Sequence, residues 1–173
     1  YSAKGHEKSP EAQYATMGWP EIEAARIGDL LKPSGVLWLW ATWPLIHRQA
    51  ALLSRWGLEC KTGGVWAKRT ASGKFRWGTG YVLRSVCEPF LIATLPGHDF
   101  TGASHMNLIE TVTDAAIDGL AREHSRKPDE VFALIDTIMP EHATRLDLFS
   151  RQPRAGWDSF GNEATKFDEA HNG

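Results

Sequence analysis

Between Glu59 and Glu88 the chain carries no acidic residue, yet Lys61, Lys68, Arg69, Lys74, Arg76 and Arg84 all fall there. The stretch KRTASGKFRWGTGYVLR interleaves these cations with Phe75, Trp77 and Tyr81. Cations contact phosphates and aromatic rings stack on bases, so the mixture suits an unpaired or flipped-out nucleotide. It equally suits a solvated surface hairpin kept soluble by Lys and Arg. The formal net charge of the chain is −2, so any contact with nucleic acid has to be local.

REHSRKPDEVF is a second chemical signal. Pro128 suits the first turn of a helix, and Asp129 and Glu130 answer its dipole. Arg126 and Lys127 oppose that dipole, by about 0.3–1 kcal/mol each at a surface. A docked anion would reverse the sign, because a helix N-terminus flanked by Lys and Arg is an anion site. Local neutralisation by Glu123, Asp129 and Glu130 is the other reading.

SRQPRAGWDSFGNE is the third. It follows the short apolar run RLDLF and carries Arg151, then Asn162 and Glu163. Beyond the end of a strand in a parallel sheet, Asn162 and Glu163 are placed to hydrogen-bond a ribose diol. Asn162 as a plain helix cap is the alternative. Trp157 reads as core.

Other chemistries fall away. The seven His residues show no metal-ligand spacing, and no paired Cys-x-x-Cys occurs, so no metal is expected. GTG in RWGTGYV lacks a third Gly and opens no helix, and there is no nucleophile elbow. Cys60 and Cys87 are too few for a disulfide framework and read as reduced, largely packed thiols of a cytoplasmic protein. No run of eighteen apolar residues or signal-like segment appears, so neither a membrane span nor secretion is expected.

These residues need a scaffold, and the 42% apolar, 23% charged composition of the 173 residues is that of an ordinary soluble globule of one domain. PEIEAARIGDLL predicts a helix over 20–31, stopped by KPSG. GVLWLWAT predicts a strand buried on both faces, followed by a helix from Pro44 to about Trp56 with Ile46, Ala50, Leu53 and Trp56 on one stripe. Gly57 closes it, LECKTGGVWAK is the next strand, and the basic segment is a loop of about a dozen residues, long enough to suggest a function. PFLIATLP is another buried strand, KPDEVFALIDTIMP a helix, and RLDLF a short strand. The pattern over 109–120 decides nothing. Alternation of strand and helix predicts an α/β domain with a mainly parallel sheet, its ligand beyond the carboxyl ends of the strands.

KGHEKSPEAQYATM, VLWLWATWPL, WGLECKTGGVWAKR, GTGYVLRSVCEPFLIATLPG, HSRKPDEVFALIDTIMP and LDLFSRQPRAGWDSFGNE occur in this order, end to end. Together they resemble the bacterial and phage branch of the messenger-RNA adenosine methyltransferase family, the MT-A seventy type. The resemblance implies a Rossmann-like fold that binds S-adenosylmethionine and methylates the 6-amino group of adenine, with permuted motif order. Lys127 would then meet the carboxylate of the cofactor's methionine part, Arg151 would lie along the cofactor, and Asn162 with Glu163 would hold its ribose hydroxyls. Glu163 stands where the family also has Gln, and either accepts from a hydroxyl. Tyr14 would sit in a first active-site loop beside the target base. The segment from Lys68 to Arg84, including Arg69, Lys74, Arg76 and Tyr81, would be a second loop closing over nucleic acid, with Glu88 beneath it.

The resemblance also implies an Asp-Pro-Pro-Trp motif just ahead of Tyr1, and none occurs in the 173 residues. In such a motif the Asp carboxylate and a Pro carbonyl accept the amino N–H bonds of adenine and localise its lone pair, while the aromatic ring stacks on the flipped base. The expectation is therefore a single methyltransferase domain over 1–173, N-terminally truncated, its catalytic strand missing and inactive alone. The intact protein would be a site-specific adenine DNA methyltransferase, with DNA favoured over RNA and a homodimer or heterodimer left open. A non-catalytic nucleic-acid-binding scaffold subunit is the alternative.

Overall fold

Apolar, β-branched and aromatic residues in VLWLW favour extended backbone, and Val36–Trp40 forms strand β1. The computed structural model describes residues 16–78, 80, 82–98, 104–113 and 127–164, and the chain divides into two compact units, Tyr1–Ser125 and Arg126–Gly173.

In the first unit, helix α1 (Trp19–Ala24) starts where expected, with Pro20 in its first turn and the Glu21 carboxylate accepting the Gly18 N–H at 2.6 Å. It does not run on to residue 31. Arg26 takes a left-handed conformation (φ 49°), and a single 3-10 turn, Ile27–Leu30, follows. The break turns Ile27 and Gly28 inward, where both are buried.

After β1, a 3-10 turn containing Pro44 leads into helix α2 (Ile46–Arg55). Its expected stripe faces the core: Leu53 is fully buried, Trp56 nearly so, and Ile46 and Ala50 are half-buried. Burying a leucine of this kind contributes about 1.5–3 kcal/mol. Gly57 ends the helix at φ +74°, a conformation costly for other residues. The Trp56 indole N–H donates to the Ile22 carbonyl at 3.1 Å, and Arg55 pairs with Glu23 at 2.9 Å, fastening α1 to the end of α2.

Strands β2 (Glu59–Thr70), β3 (Cys87–Thr94) and β4 (Leu108–Thr113) join β1 in one sheet, in the order β1-β3-β2-β4. β3 is antiparallel to both β1 and β2, whereas β4 is parallel to β2. Hence β1, β2 and β4 point one way and β3 alone is reversed. Because β3 lies between β1 and β2, two of the three pairings are antiparallel, and the sheet is mixed where a mainly parallel one was expected. An apolar run buried on both faces marks a central strand whichever way it points. Direction is set by the connection. β3 returns without an intervening helix among the described residues of 71–86, and such a return pairs antiparallel with the strand it left.

Over this sheet Trp38 stacks on Phe90 (ring centroids 4.1 Å), and Trp40 meets the edges of Phe90 and Trp66. The Trp66 indole N–H donates to Thr111 Oγ1 at 2.8 Å, and both residues are buried.

In the second unit, helix α3 (Asp129–Ile138) buries Val131, and β5 (Leu146–Leu148) pairs in parallel with β6 (Asp158–Phe160). Pro128 stands one residue ahead of the helix, as its extended N-cap, rather than within the first turn. β6 lies where a continuous loop was expected. No described helix is long and apolar enough to cross a membrane.

Candidate functional site

β2 alternates its side chains, so Trp66 and Lys68 share one face and Arg69 projects from the other. Register puts Glu88 of β3 opposite Trp66. The Lys68 ammonium sits 2.8 Å from the Glu88 carboxylate and 4.1 Å above the Trp66 ring. On the opposite face the Arg69 guanidinium reaches Glu110 of β4 through Nε at 2.9 Å and Nη2 at 2.6 Å, which pushes its pKa further up. The Lys68–Glu88 pair is about a third exposed, a setting in which an ion pair contributes at most about 1 kcal/mol.

Lys68 and Arg69 therefore lie on a strand, not in the loop expected from Lys68 onward. The chain then folds back: Gly73 N–H donates to the Thr70 carbonyl, Thr70 N–H to Lys74 and Arg76 N–H to Lys68, each at 2.8 Å. Gly73 makes this possible at φ +79°. The return places Phe75 under the Arg69 guanidinium, 4.0 Å from its ring centroid. Further out, Gly78 N–H donates to the Ser85 carbonyl at 2.6 Å, and Arg84 donates to the Gly78 carbonyl at 3.1 Å while lying 5.3 Å from the Trp77 ring centroid. Trp77 is 65% exposed, and Lys74 and Arg84 have no carboxylate partner among the described residues. The segment thus presents charge and an open indole from a hydrogen-bonded base.

In the second unit the structure brings Arg151 and Glu163 together. Arg151 Nε donates to Glu163 Oε2 at 2.8 Å, with the Arg151 side chain 11% exposed. Gly161 lies against the backbone just before Arg151, where a Cβ would stand 2.6 Å from the Ser150 carbonyl oxygen and 2.8 Å from its nitrogen. Only glycine lets the GNE segment pack so closely against the start of SRQPR. Ser150 N–H donates to the Phe160 carbonyl at 3.1 Å, extending the contact. Asn162 is exposed and makes no hydrogen bond among the described residues. Lys127 is half-buried, two residues ahead of α3.

Sequence reasoning missed Arg154. Its guanidinium donates to Asp147 at 2.8 Å and to Asp129 at 3.3 Å, and covers the Phe132 ring at 3.5 Å. Gln152 also donates to Asp129, at 3.1 Å. Burial pushes the Asp147 carboxyl up, opposed by a hydrogen bond from Ser150 and by the Arg154 charge. Nothing local to QPR signals these contacts, since the partners lie on α3 and β5. Trp157 packs edge-on against Phe132 and donates to Asp136 at 3.2 Å, half-buried rather than fully core. Tyr14, Tyr81 and Arg126 lie outside the described residues. Among the described residues no three His, Cys, Asp or Glu side chains gather to hold a metal ion.

Residues 1–163, nearly the whole chain, match the MT-A70 family. The chain belongs to the MT-A70 family. It is 31% identical over 157 residues to an N(6)-adenosine-methyltransferase MT-A70-like protein of Arabidopsis thaliana, covering 88% of this chain and 22% of the relative. It is 31% identical over 144 residues to the N6-methyladenosine RNA methyltransferase MTA1 of Cryphonectria parasitica, covering 80% and 40%. It is 26% identical over 161 residues to the human N(6)-adenine-specific methyltransferase METTL4, covering 90% and 34%. This MT-A70 chain thus spans between about a fifth and two fifths of the length of these relatives. Its Lys127, Arg151, Asn162 and Glu163 all fall inside the matched residues, as does the segment from Lys68 to Glu88.

Proposed function

We propose that residues 1–173 form one Rossmann-like methyltransferase domain, with permuted motifs, of an enzyme that methylates the 6-amino group of adenine in nucleic acid. The observation that carries this reading is the Arg151–Glu163 pair, beside the close approach of Gly161 to the Ser150 backbone, in an MT-A70 chain. The residues fit S-adenosylmethionine. Asn162, exposed and without a partner among the described residues, can offer both a donor and an acceptor to a ribose diol. Glu163, oriented by Arg151, supplies a carboxylate beside it, and Lys127 suits the cofactor's carboxylate.

S-adenosylmethionine held by these residues would supply an electrophilic methyl group to the adenine nitrogen, leaving S-adenosylhomocysteine and a proton. The chain's own part is to orient. Arg151, Asn162 and Glu163 fix the cofactor's sugar, and Lys127 its amino-acid end. Lys74, Arg76 and Arg84 meet phosphates, while Trp77 and Tyr81 offer rings to an unpaired base. Lys68, Arg69 and Glu88 hold the base of that segment. We place DNA first, on the resemblance to the bacterial branch; the name of the fungal relative specifies RNA. Two free thiols, Cys60, exposed where packing was expected, and the half-buried Cys87, suit a reducing cytoplasm.

The test is transfer of labelled methyl from S-adenosylmethionine to adenine-containing DNA and RNA oligonucleotides. It is run with this chain and with the chain extended through its upstream reading frame, alongside calorimetric binding of S-adenosylhomocysteine. Label on the 6-amino nitrogen confirms the activity and names the polymer. Cofactor binding without label from either chain favours a scaffold, and no binding at all refutes the reading.

A further inference from the structure

We infer that Asp129, Gln152 and Arg154 form a clasp that sets the spacing between the two halves of the cofactor site, Lys127 ahead of α3 and Arg151 on the loop after β5. The inference rests on the proposed cofactor site and assigns these three as positioning residues for it.

One oxygen of Asp129, the first residue of α3, accepts from both Gln152 at 3.1 Å and Arg154 at 3.3 Å. These two donors flank Pro153, so the loop touches the start of the helix twice within three residues of Arg151. Arg154 is held rigidly in turn. Its side chain is 12% exposed, its other terminal nitrogen is bound to Asp147 on β5 at 2.8 Å, and Phe132 lies beneath its plane. A second tie, from Trp157 to Asp136, joins the far end of the loop to the later part of α3. The loop is thus fixed to the helix at two points, and the one at the N-terminus lies two residues from Lys127. Asp129 itself is 63% exposed, so it is not a buried charge that the loop merely neutralises. A ligand held by Lys127 at one end and Arg151 at the other binds better when their separation is already set, because less loop ordering opposes binding.

An acidic first residue also stabilises a helix through its dipole, whatever the loop does. Asp129→Asn separates the two roles, since it removes the charge and keeps the accepting oxygen. The experiment is calorimetric binding of S-adenosylhomocysteine to the 173-residue chain, with thermal unfolding of each variant as the check on folding. Asp129→Ala is expected to weaken binding about three- to tenfold, the equivalent of losing one or two preorganised side chains. Asp129→Asn is expected to stay within about twofold of the original chain, as the hydrogen bonds survive. In an Arg151→Ala background Asp129→Ala should add little, because a residue that acts through Arg151 has nothing left to position. A purely structural role would give independent, multiplying losses. Arg154→Lys, which cannot fork between Asp129 and Asp147, reads the same contact by a second route and should fall between Asp129→Asn and Asp129→Ala.

If the original chain binds and folded Asp129→Ala binds equally well, or if the losses multiply, the clasp is wrong and the cofactor site stands. If the original chain itself does not bind, the cofactor reading fails and takes the clasp with it.

Discussion

The six cations between Glu59 and Glu88 are not equivalent, and that difference can be measured as a salt dependence. The structure pairs Lys61 with Glu59, Lys68 with Glu88 and Arg69 with Glu110, at 2.8, 2.8 and 2.6 Å. Lys74 and Arg84 have no carboxylate partner among the described residues. A cation that meets a phosphate of a single strand contributes about 0.7 to the slope of log K against log salt. Removing both in Lys74→Ala/Arg84→Ala should therefore lower the slope by about 1.4. Between 50 and 200 mM salt, that is a change of about sevenfold in the ratio of the two affinities. The paired substitution Lys68→Met/Glu88→Gln removes a cation and its anion together and should leave the slope unchanged. Fluorescence anisotropy with a single-stranded, adenine-containing oligonucleotide over that salt range reads both variants. Equal slopes for the loop double variant and the original chain would refute the reasoning. So would a paired substitution that lowers the slope as much as the loop variant does.

Thr111→Val keeps the shape of a buried residue and orphans the Trp66 indole N–H, so the urea midpoint should fall by the equivalent of about 1–3 kcal/mol with an unchanged slope. Gly161→Ala forces a Cβ against the backbone of Ser150 at 2.6 Å; it should cost about 1–3 kcal/mol in thermal or urea unfolding and weaken S-adenosylhomocysteine binding. Asp147 holds its proton to higher pH in the folded chain than at its ordinary value of 3.8, so its contribution to stability is fullest below 3.8 and is lost as pH rises through the raised value. Asp147→Asn has no such loss and should gain on the original chain as pH rises from 3.8; urea midpoints that move the other way would show that Arg154 outweighs burial.

Much of the scaffold was legible because it rests on local chemistry. The apolar runs at β1 and β3, the stripe of α2 and the Pro-Asp-Glu start of α3 each carry their own signal. β4 did not, since LIETVT mixes a charge into an alternating run. β6 is three residues long, too short to show a period. The direction of β3 was hidden because burial on both faces looks alike for parallel and antiparallel neighbours. The left-handed Arg26 was invisible in a segment whose composition reads as continuous helix. For the candidate site, Arg151 and Glu163 were placed by the family motif and found in contact. The neutralisation of Lys68 and Arg69 was out of reach, because their partners are fixed only by sheet register, 20 and 41 residues away.

A sheet whose inner strand comes last of three cannot close in the order in which the ribosome delivers it. When residue 70 has been made, β1 and β2 are both present but are kept one strand-width apart, since each is to pair with β3. Among the described residues β1 has no other hydrogen-bonding neighbour, so it waits with its backbone groups open to water until residues 87–94 arrive. The pairing of β1 is then a late event: its amides should gain protection from exchange no earlier than those of β3. The segment from 71 to 86 is the tether by which the closing strand is delivered.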